Sequence, residues 1–494
     1  MQNGTLLAAV DLGSNSYRLE IGRLDHGQIH RTEYLKETVR QGNGLDDARN
    51  LTPDAMQRGW DCLARFGERL AGFRKAQVRA VATQTLREAR NRDVFLARAN
   101  AILGFPIDVI SGREEARLIY QGVAHLLPQS DERRLVVDIG GRSTELILGQ
   151  RFAADVTESY RVGSVAWSMK YFAEGLYTEG AFARAEIAAK AVLDEALESY
   201  RRGDWDVAYG SSGTIGAVSD VLHAAGYPAG LIDRAGLVWL RERMLLTRSA
   251  DKLKLDGIKD DRRVVIGGGV SVLQALFDLL EIEQMQAAQG ALRHGVLFDL
   301  LEREHSETDI RSTTVQRLAT KFGVDAAQAG RIGKVACQLL RQLRAGDNPA
   351  DLARLQRKLG WAGQLHEIGS QISHSDYHKH GAYILDNADA PGFAQPELHR
   401  LSLLVLGHRG KLRKLDADFE DVIFVHQLLC LRLAVILCHA RREPDLRGME
   451  LSCEGHVVTI GLRPDWAPAW PQSAHLLREE VIAWQKTPWI LALS

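Results

Sequence analysis

The hydrophobic pattern begins with two short apolar runs on either side of a polar turn, and the same pattern returns later in the chain. Residues 6–10 are apolar and lead into Asp11-Leu12-Gly13-Ser14-Asn15-Ser16, and the next apolar stretch ends at Gly22. Residues 135–137 lead in the same way into Asp138-Ile139-Gly140-Gly141-Arg142-Ser143, and the next stretch ends at Gly149. Every position of the second copy follows its counterpart at the same offset. The pattern predicts two equivalent β-hairpins.

Strands and helices alternate after the first hairpin. Helical periodicity predicts helices near residues 53–71 and 91–103, and short apolar runs predict strands at 78–82 and 107–110. Strands that alternate with helices indicate an α/β lobe.

A second α/β lobe starts near residue 130 and repeats this plan. Two long helices are predicted over residues 178–202, and a strand at 207–209 runs into Gly210-Ser211-Ser212-Gly213-Thr214. A later apolar run at 264–266 leads into three consecutive glycines.

Beyond about residue 307 the pattern changes. Residues 312–442 show almost only helical periodicity, and residues 451–462 predict a hairpin with Glu454-Gly455 as its turn. A chain of 494 residues is too long for one core. We therefore predict four domains, with the boundaries 1–127, 128–307, 308–442 and 443–494.

Composition narrows the class of protein. The formal net charge of −1 argues against a generally basic surface for nucleic acid. The five cysteines are scattered without a CxxC pair, which argues against a disulfide framework and fits a reducing cytoplasm. We predict no signal peptide and no apolar run long enough to span a membrane.

The two repeated aspartates are the first candidates for chemistry. Glycine turns let backbone N–H groups approach an anion closely, and a carboxylate at the end of the preceding strand can hold a divalent cation against phosphate oxygens. An Asp in such a turn can also merely accept hydrogen bonds from turn amides. The duplication of Asp11 and Asp138, each followed by a hydroxyl and a second strand, favours the phosphate and metal interpretation.

Glu115 is the second candidate. Ser111 and Glu114 have the spacing of a capping box, which gives Glu114 a structural role at a helix start and leaves Glu115 without one. A carboxylate without a local partner near the helix start is a candidate general base for water. The alternative is a solvated first-turn glutamate that the helix dipole favours.

Two further segments suit phosphate. The loop at residues 210–214 would present N–H and O–H donors at a helix N-terminus, although a plain glycine-rich turn is about equally consistent. Arg87 could donate a bidentate bond to phosphate, but a lone arginine is more often a solvated side chain.

The helical region carries histidines and cations. Residues 365–369 and the later His374, His378 and His380 resemble an HD-type metal phosphohydrolase helix, but the pair is His366-Glu367 rather than His-Asp. We therefore expect a degenerate module without metal. A basic run follows and would suit either a polyanion or a solvated helix face; it comprises Arg400, Arg409, Lys411, Arg413 and Lys414.

Together these motifs closely resemble the exopolyphosphatase and guanosine pentaphosphate phosphohydrolase family. The resemblance rests on both Asp-x-Gly hairpins, residues 111–117, Gly213-Thr214, residues 290–293, His366-Glu367-Ile368-Gly369 and residues 377–381. It implies an α/β fold with two actin-like (ribonuclease H-like) lobes, an all-helical HD-like domain and a small C-terminal mixed α/β subdomain.

The resemblance also implies roles for single residues. Glu115 and Glu145 would be catalytic, and Asp11, Asp138 and Glu145 would hold Mg²⁺, with a monovalent cation such as K⁺ as a further candidate. The residues implied to bind phosphate are Ser14, Asn15, Ser16, Arg87, Gly140, Gly141, Arg142, Ser143, Ser212, Gly213 and Thr214. Arg142 stands where relatives often have a small residue, so it would either add a donor or crowd the loop.

The main functional expectation is hydrolysis of the terminal phosphate of inorganic polyphosphate by a homodimer. A polyphosphate channel would be lined by His378, Lys379, His380, Arg409, Lys411, Arg413 and Lys414. The nearest alternative is hydrolysis of guanosine pentaphosphate to guanosine tetraphosphate at the same site. A sugar or acetate-type kinase and a non-enzymatic nucleotide sensor are the two other classes compatible with the fold.

Overall fold

A computed structural model of the chain describes residues 1–303, 308–412, 415 and 419–494. It divides into two compact units, residues 1–308 and 309–494. Within the described residues, no helix is both long enough and apolar enough to cross a membrane.

The first half of the N-terminal unit is built on a five-stranded sheet in the order β3-β2-β1-β4-β5. Its strands are β1 (Leu6–Leu12), β2 (Tyr17–Asp25), β3 (Gln28–Glu37), β4 (Val78–Ala82) and β5 (Ile107–Val109). The first three strands are antiparallel, whereas β4 and β5 run parallel to β1. The helices are α1 (Pro53–Arg69), α2 (Gln84–Glu88), α3 (Arg92–Leu103) and α4 (Gly112–Leu126).

The second half repeats that sheet. Its strands are β6 (Arg133–Ile139), β7 (Thr144–Gln150), β8 (Ala153–Tyr160), β9 (Val207–Ser211), β10 (Leu231–Asp233) and β11 (Gln284–Ala287). The order β8-β7-β6-β9-β11 matches that of the first sheet, and β10 adds an antiparallel edge. The helices are α5 (Ser164–Tyr171), α6 (Glu179–Leu193), α7 (Ala196–Ser199), α8 (Ser212–Ala224), α9 (Arg234–Thr247), α10 (Asp260–Arg263), α11 (Ile266–Leu279) and α12 (Leu292–Arg303).

The helices over residues 178–202 differ from the sequence expectation, because only α6 is long and α7 is short. The segment after β4, for which no element was predicted, is the short helix α2. The three consecutive glycines lie in the first turn of α11, where they serve packing. A Cβ on Gly268 would lie 2.4 Å from the Ser164 carbonyl oxygen, so glycine lets α11 approach α5 closely.

The C-terminal unit packs helices and a small sheet around one apolar core that includes Leu339, Leu429, Ile460 and Trp489. The helices are α13 (Ile310–Lys321), α14 (Ala326–Leu343), α15 (Pro349–Leu365), α16 (Tyr377–Asn387), α17 (Gln395–Gly407), α18 (Val422–Leu437), α19 (Trp466–Ala469) and α20 (Pro471–Trp484). The sheet has the order β12-β13-β14, with β12 (Met449–Glu454), β13 (Val457–Leu462) and β14 (Ile490–Leu493). Gly455 and His456 form the turn, one residue later than expected.

Candidate active site

A cleft of about 410 Å³ in the N-terminal unit is lined by both Asp-x-Gly turns. It brings together most of the predicted site: Asp11, Ser14, Asn15, Ser16, Glu115, Asp138, Gly140, Gly141, Ser143, Ser212, Gly213 and Thr214. Residues from both sheets therefore meet at one place, although they are far apart in sequence.

In the first hairpin the aspartate is paired with a cation. Asp11 on β1 lies directly opposite Arg18 on β2, and opposed residues of an antiparallel pair share one face of the sheet. The Arg18 guanidinium donates to Asp11 Oδ2 at 3.0 Å. In the adjoining turn, the Thr85 hydroxyl donates to Ser14 Oγ at 2.8 Å.

In the second hairpin the equivalent position carries a second acid. Asp138 on β6 lies opposite Glu145 on β7, and both carboxylates are buried. The Ser159 hydroxyl donates to Glu145 at 2.7 Å. Burial raises the pKa of Asp138 to about 6. Burial, together with the charges of Glu115 and Asp138, raises the pKa of Glu145 well above its ordinary value.

Glu115 lies in the first turn of α4. The Ser111 side chain accepts a hydrogen bond from the backbone N–H of Glu114 at 3.1 Å, which confirms the helix cap. The Glu114 carboxylate accepts two hydrogen bonds from Arg117, so Glu114 belongs to a structural ion pair. Burial raises the pKa of Glu115, with the charges of Asp11 and Asp138 adding to the effect and Arg87 opposing it.

Glu115 has no partner on its own helix turn, as expected, but it has one from a distant part of the chain. Arg87 donates to Glu115 Oε2 at 2.7 Å, and its other donors reach Gln84 and the carbonyl oxygen of Ile110. These bonds fix the orientation of the Glu115 carboxylate, and Arg87 does not line the cleft, so its contact with phosphate stays a prediction. Because β4 and α2 deliver this arginine from a distant part of the sequence, helix spacing alone could not predict the pair.

Arg142 extends away from the phosphate turn that contains it. Its guanidinium donates to the carbonyl oxygen of Gly42 at 3.1 Å and lies 3.4 Å from Glu88. Both acceptors belong to the first half of the unit, so this side chain connects the two halves beside the cleft.

Residues 210–214 lie at a helix N-terminus as expected, but they form no separate loop, because β9 ends at Ser211 and α8 begins at Ser212. Ser212 has a φ of 94°, in the left-handed region where non-glycine residues are strained. Its hydroxyl accepts from the N–H of Thr214 at 3.1 Å and of Ile215 at 3.3 Å. A Cβ on Gly213 would lie 2.3 Å from the Arg262 guanidinium, so glycine makes room for that cation at the cleft.

Sequence reasoning missed a set of cations in the cleft. They are Arg18, Lys36, Lys259, Arg262 and Arg293. Regular spacing around the two-residue hairpin would place Leu35 opposite Arg18. A bulge between Ile21 and Gly22 shifts the register by one residue and brings Lys36 there instead. The other three come from distant loops and helices; Arg293 lies in the motif at residues 290–293, but no local pattern marks Lys259 or Arg262.

The fit of the cleft to Mg²⁺ can be judged from its carboxylates. Across the described ranges, no cluster of three or more His, Cys, Asp or Glu side chains forms a ready-made metal cage. Asp11 accepts a hydrogen bond from Arg18 through Oδ2, and Glu145 accepts one from Ser159 through Oε1. The buried Asp138 still fits Mg²⁺, because this ion is commonly held by one or two carboxylates together with substrate phosphates and water. Mg²⁺ remains a prediction.

The described candidates in the C-terminal unit differ in their exposure to solvent. His378 is buried beside His408, whereas Lys379 is exposed and pairs with Asp376 at 2.9 Å. Arg409 is exposed over the ring of Tyr377, and His380 and Lys411 lie at least partly at the surface. Arg413 and Lys414 fall outside the described residues.

Comparisons with known proteins agree with this architecture. The profile of the Ppx/GppA phosphatase family matches residues 21–304, and that of Ppx/GppA phosphatase domain III matches residues 310–480. Proteins named guanosine-5'-triphosphate,3'-diphosphate pyrophosphatase are similar along almost their whole length. The one from Vibrio atlanticus is 38% identical, covering 96% of this chain and 95% of its own. The one from Pseudoalteromonas translucida is 37% identical, covering 99% and 98%.

Solved structures show the same fold over about three fifths of the chain, a share close to that of residues 1–308. An exopolyphosphatase from Cytophaga hutchinsonii aligns with a TM-score of 0.54 and 22% identity, covering 60% of this chain and 98% of its own. The Ppx/GppA family member from Aquifex aeolicus aligns with a TM-score of 0.52 and 24% identity, covering 61% and 99%. The predicted actin-like α/β fold is thereby confirmed for this part of the chain.

Proposed function

Because this chain belongs to the Ppx/GppA phosphatase family, we propose that it hydrolyses guanosine pentaphosphate to guanosine tetraphosphate and orthophosphate. The observation that carries the proposal is the similarity, at 37–38% identity over nearly the whole chain, to relatives named for that substrate. These relatives favour the alternative expectation from the sequence over polyphosphate as the main substrate.

The charge pattern of the cleft supports a substrate with phosphates at two ends. The carboxylates Glu115 and Asp138 are close enough for their charges to interact, and Arg18, Lys36 and Arg262 line the same cleft. A 5'-triphosphate would place its terminal group near the carboxylates and its inner phosphates over the backbone amides of the turns. The cations would then receive the remaining negative charge.

Glu115 is the general base in this mechanism. Water attacks the terminal phosphorus and passes one proton to the Glu115 carboxylate, while the bridging P–O bond breaks and its electron pair stays on the leaving diphosphate oxygen. Arg87 orients the carboxylate, and the raised pKa makes Glu115 a better base than an exposed glutamate. Mg²⁺ held at Asp138 would neutralise charge on the transferred phosphoryl group.

Hydrolysis of polyphosphate is the second candidate, since the same carboxylates and turns suit any terminal phosphoanhydride. The exposed cations Lys379, Arg409 and Lys411 favour it, because they could hold a long polyanion. An HD-like, metal-free helical module, a homodimer and a requirement for K⁺ belong to the same proposal.

A parallel assay separates the two candidates. Phosphate release is measured on guanosine pentaphosphate, long-chain polyphosphate and tripolyphosphate at equal Mg²⁺. We expect kcat/KM to be highest for guanosine pentaphosphate. A higher kcat/KM for long-chain polyphosphate would overturn the proposal in favour of the second candidate.

A further inference from the structure

An ion pair connects the two halves of the N-terminal unit at the cleft. Lys36 on β3 comes from the first half, and Asp261 on α10 comes from the second half. Lys36 Nζ lies 3.0 Å from Asp261 Oδ2, and about a quarter of each side chain is exposed. The pair is therefore accessible to solvent and to an anion entering the cleft.

Lys36 occupies a defined position relative to Asp11 in the cleft. Asp11, Arg18 and Lys36 stand opposite one another on β1, β2 and β3, so they form one row across the sheet. Two strand spacings, or about 10 Å, separate the backbones at its ends. The row begins at the predicted metal-binding aspartate and ends at the ion pair.

Asp261 is a carboxylate among cations. Besides Lys36, the Arg262 guanidinium lies 3.9 Å away, and Lys259 is close enough to act on its charge. Against the effect of burial, the hydrogen bond and charge of Lys36 lower the pKa of Asp261. Burial and the nearby charge of Arg18 lower the pKa of Arg262. These three cations form a site that suits an anion, and in this structure the Asp261 carboxylate is that anion.

We propose that the Lys36–Asp261 ion pair acts as a gate that discriminates between substrates by length. Only a substrate that is long enough to reach Lys36 can replace Asp261 as its partner. A phosphate at the far end of a bound substrate displaces the Asp261 carboxylate and takes its place on Lys36. A substrate too short to reach Lys36 leaves the ion pair intact and gains no binding free energy from Lys36. Solvent-exposed ion pairs contribute little free energy, so one anion can replace the other readily. The inference rests on the proposed function for the identity of the two-ended substrate.

The test is Asp261→Asn, which removes the competing charge and keeps the shape of the side chain. KM for guanosine pentaphosphate should fall by about threefold, the size expected for one exposed ion pair, while kcat stays the same. KM for tripolyphosphate should not change. Lys36→Met should instead raise KM for guanosine pentaphosphate, because it removes the cation that receives the phosphate.

Asp278→Asn is the matched control. Asp278 pairs with Lys190 at 2.7 Å, and the exposure of both side chains is similar to that of the gate. Neither residue lines the cleft. This variant should leave KM for both substrates unchanged, so a shared change would indicate an effect of net charge alone.

The outcomes separate this inference from the proposed function. If the wild-type enzyme uses guanosine pentaphosphate but Asp261→Asn leaves its KM unchanged, or lowers both KM values equally, the gate is rejected and the function stands. If the wild-type enzyme releases no phosphate from guanosine pentaphosphate, the proposed function fails. The gate is then decided by long-chain polyphosphate against tripolyphosphate, where Asp261→Asn must lower only the first KM.

Discussion

The two hairpins of the N-terminal unit have the same geometry and opposite electrostatics. In the first, Asp11 faces Arg18 and is neutralised by it. In the second, Asp138 faces Glu145, so two buried carboxylates stand opposite each other. The repeat provides two equivalent strand pairs, and the second pair gathers negative charge because it has Glu145 where the first has the cation Arg18.

The third carboxylate strengthens this difference. Glu115 is buried near Asp138 and is held by Arg87. Carboxylates kept together in a buried site cost folding energy, and their raised pKa values suit general-base chemistry. We therefore expect hydrolysis to take place at the second hairpin, and we expect the first hairpin to bind the substrate phosphates.

The largest effect is expected for Glu115→Gln. The amide keeps a hydrogen-bond acceptor for Arg87 but cannot take a proton from water, so kcat should fall by roughly 10²- to 10⁴-fold with little change in KM. Phosphate release from guanosine pentaphosphate measures it.

Glu158→Gln is the control for this variant. Glu158 pairs with Arg113 at 2.6 Å on the surface beside the start of α4, so it lies close in space without lining the cleft. It should keep wild-type kcat. Equal losses in both variants would contradict the role of Glu115.

Glu145→Gln should have the next largest effect. If Glu145 acts on the metal or on the attacking water, its loss should lower kcat by about 10- to 100-fold and raise the half-saturating Mg²⁺ concentration, as losses around metal sites commonly do. A Mg²⁺ titration of phosphate release measures both quantities.

Arg18→Gln changes the equivalent position of the first hairpin and sharpens the comparison. Because Arg18 lines the cleft as a cation, this variant should raise KM and leave the Mg²⁺ requirement as it was. The same Mg²⁺ dependence in both variants would contradict the division between a binding copy and a reacting copy.

Asp138→Asn and Asp11→Asn should change stability in opposite directions. The pKa of Asp138 rises from 3.8 to about 6 on folding, so between these values the folded state holds a proton that the unfolded state has lost. Stability therefore falls as pH rises through this window. At pH 7.5 without metal, Asp138→Asn should be more stable than the wild type by roughly 1–3 kcal/mol, a difference that disappears near pH 4.

Asp11→Asn should instead lower stability by roughly 1–3 kcal/mol at pH 7.5, because it leaves the Arg18 guanidinium without its partner. Urea unfolding of both variants and of the wild type, in EDTA at both pH values, measures these differences in the free energy of unfolding. Stabilisation by both substitutions would show that the two hairpins do not differ as described.

The features that could be predicted from the sequence are those that repeat along the chain and those that depend on neighbouring residues. The duplicated motif located Asp11, Asp138 and the sheets that carry them, and the cap at Ser111 located Glu115 at a helix start. Contacts between distant segments were out of reach. The Arg87–Glu115 pair depends on how α2 follows β4, and Arg262 reaches the cleft only because Gly213 leaves space for it.

The smallest effect is expected for Arg142→Ala, and it tests the turns themselves. Arg142 and Asn15 hold the same position in the two copies, but Asn15 lines the cleft whereas the Arg142 side chain contacts Gly42 and Glu88. Because these two contacts are partly exposed to solvent, their loss should lower the free energy of unfolding by about 1 kcal/mol or less. KM should rise less than in Asn15→Ala, which removes a donor facing the substrate. Steady-state kinetics measure both KM values. A larger KM increase for Arg142→Ala would mean that the arginine turns into the cleft when phosphate binds. The second hairpin would then bind substrate phosphate in addition to carrying the reacting carboxylates.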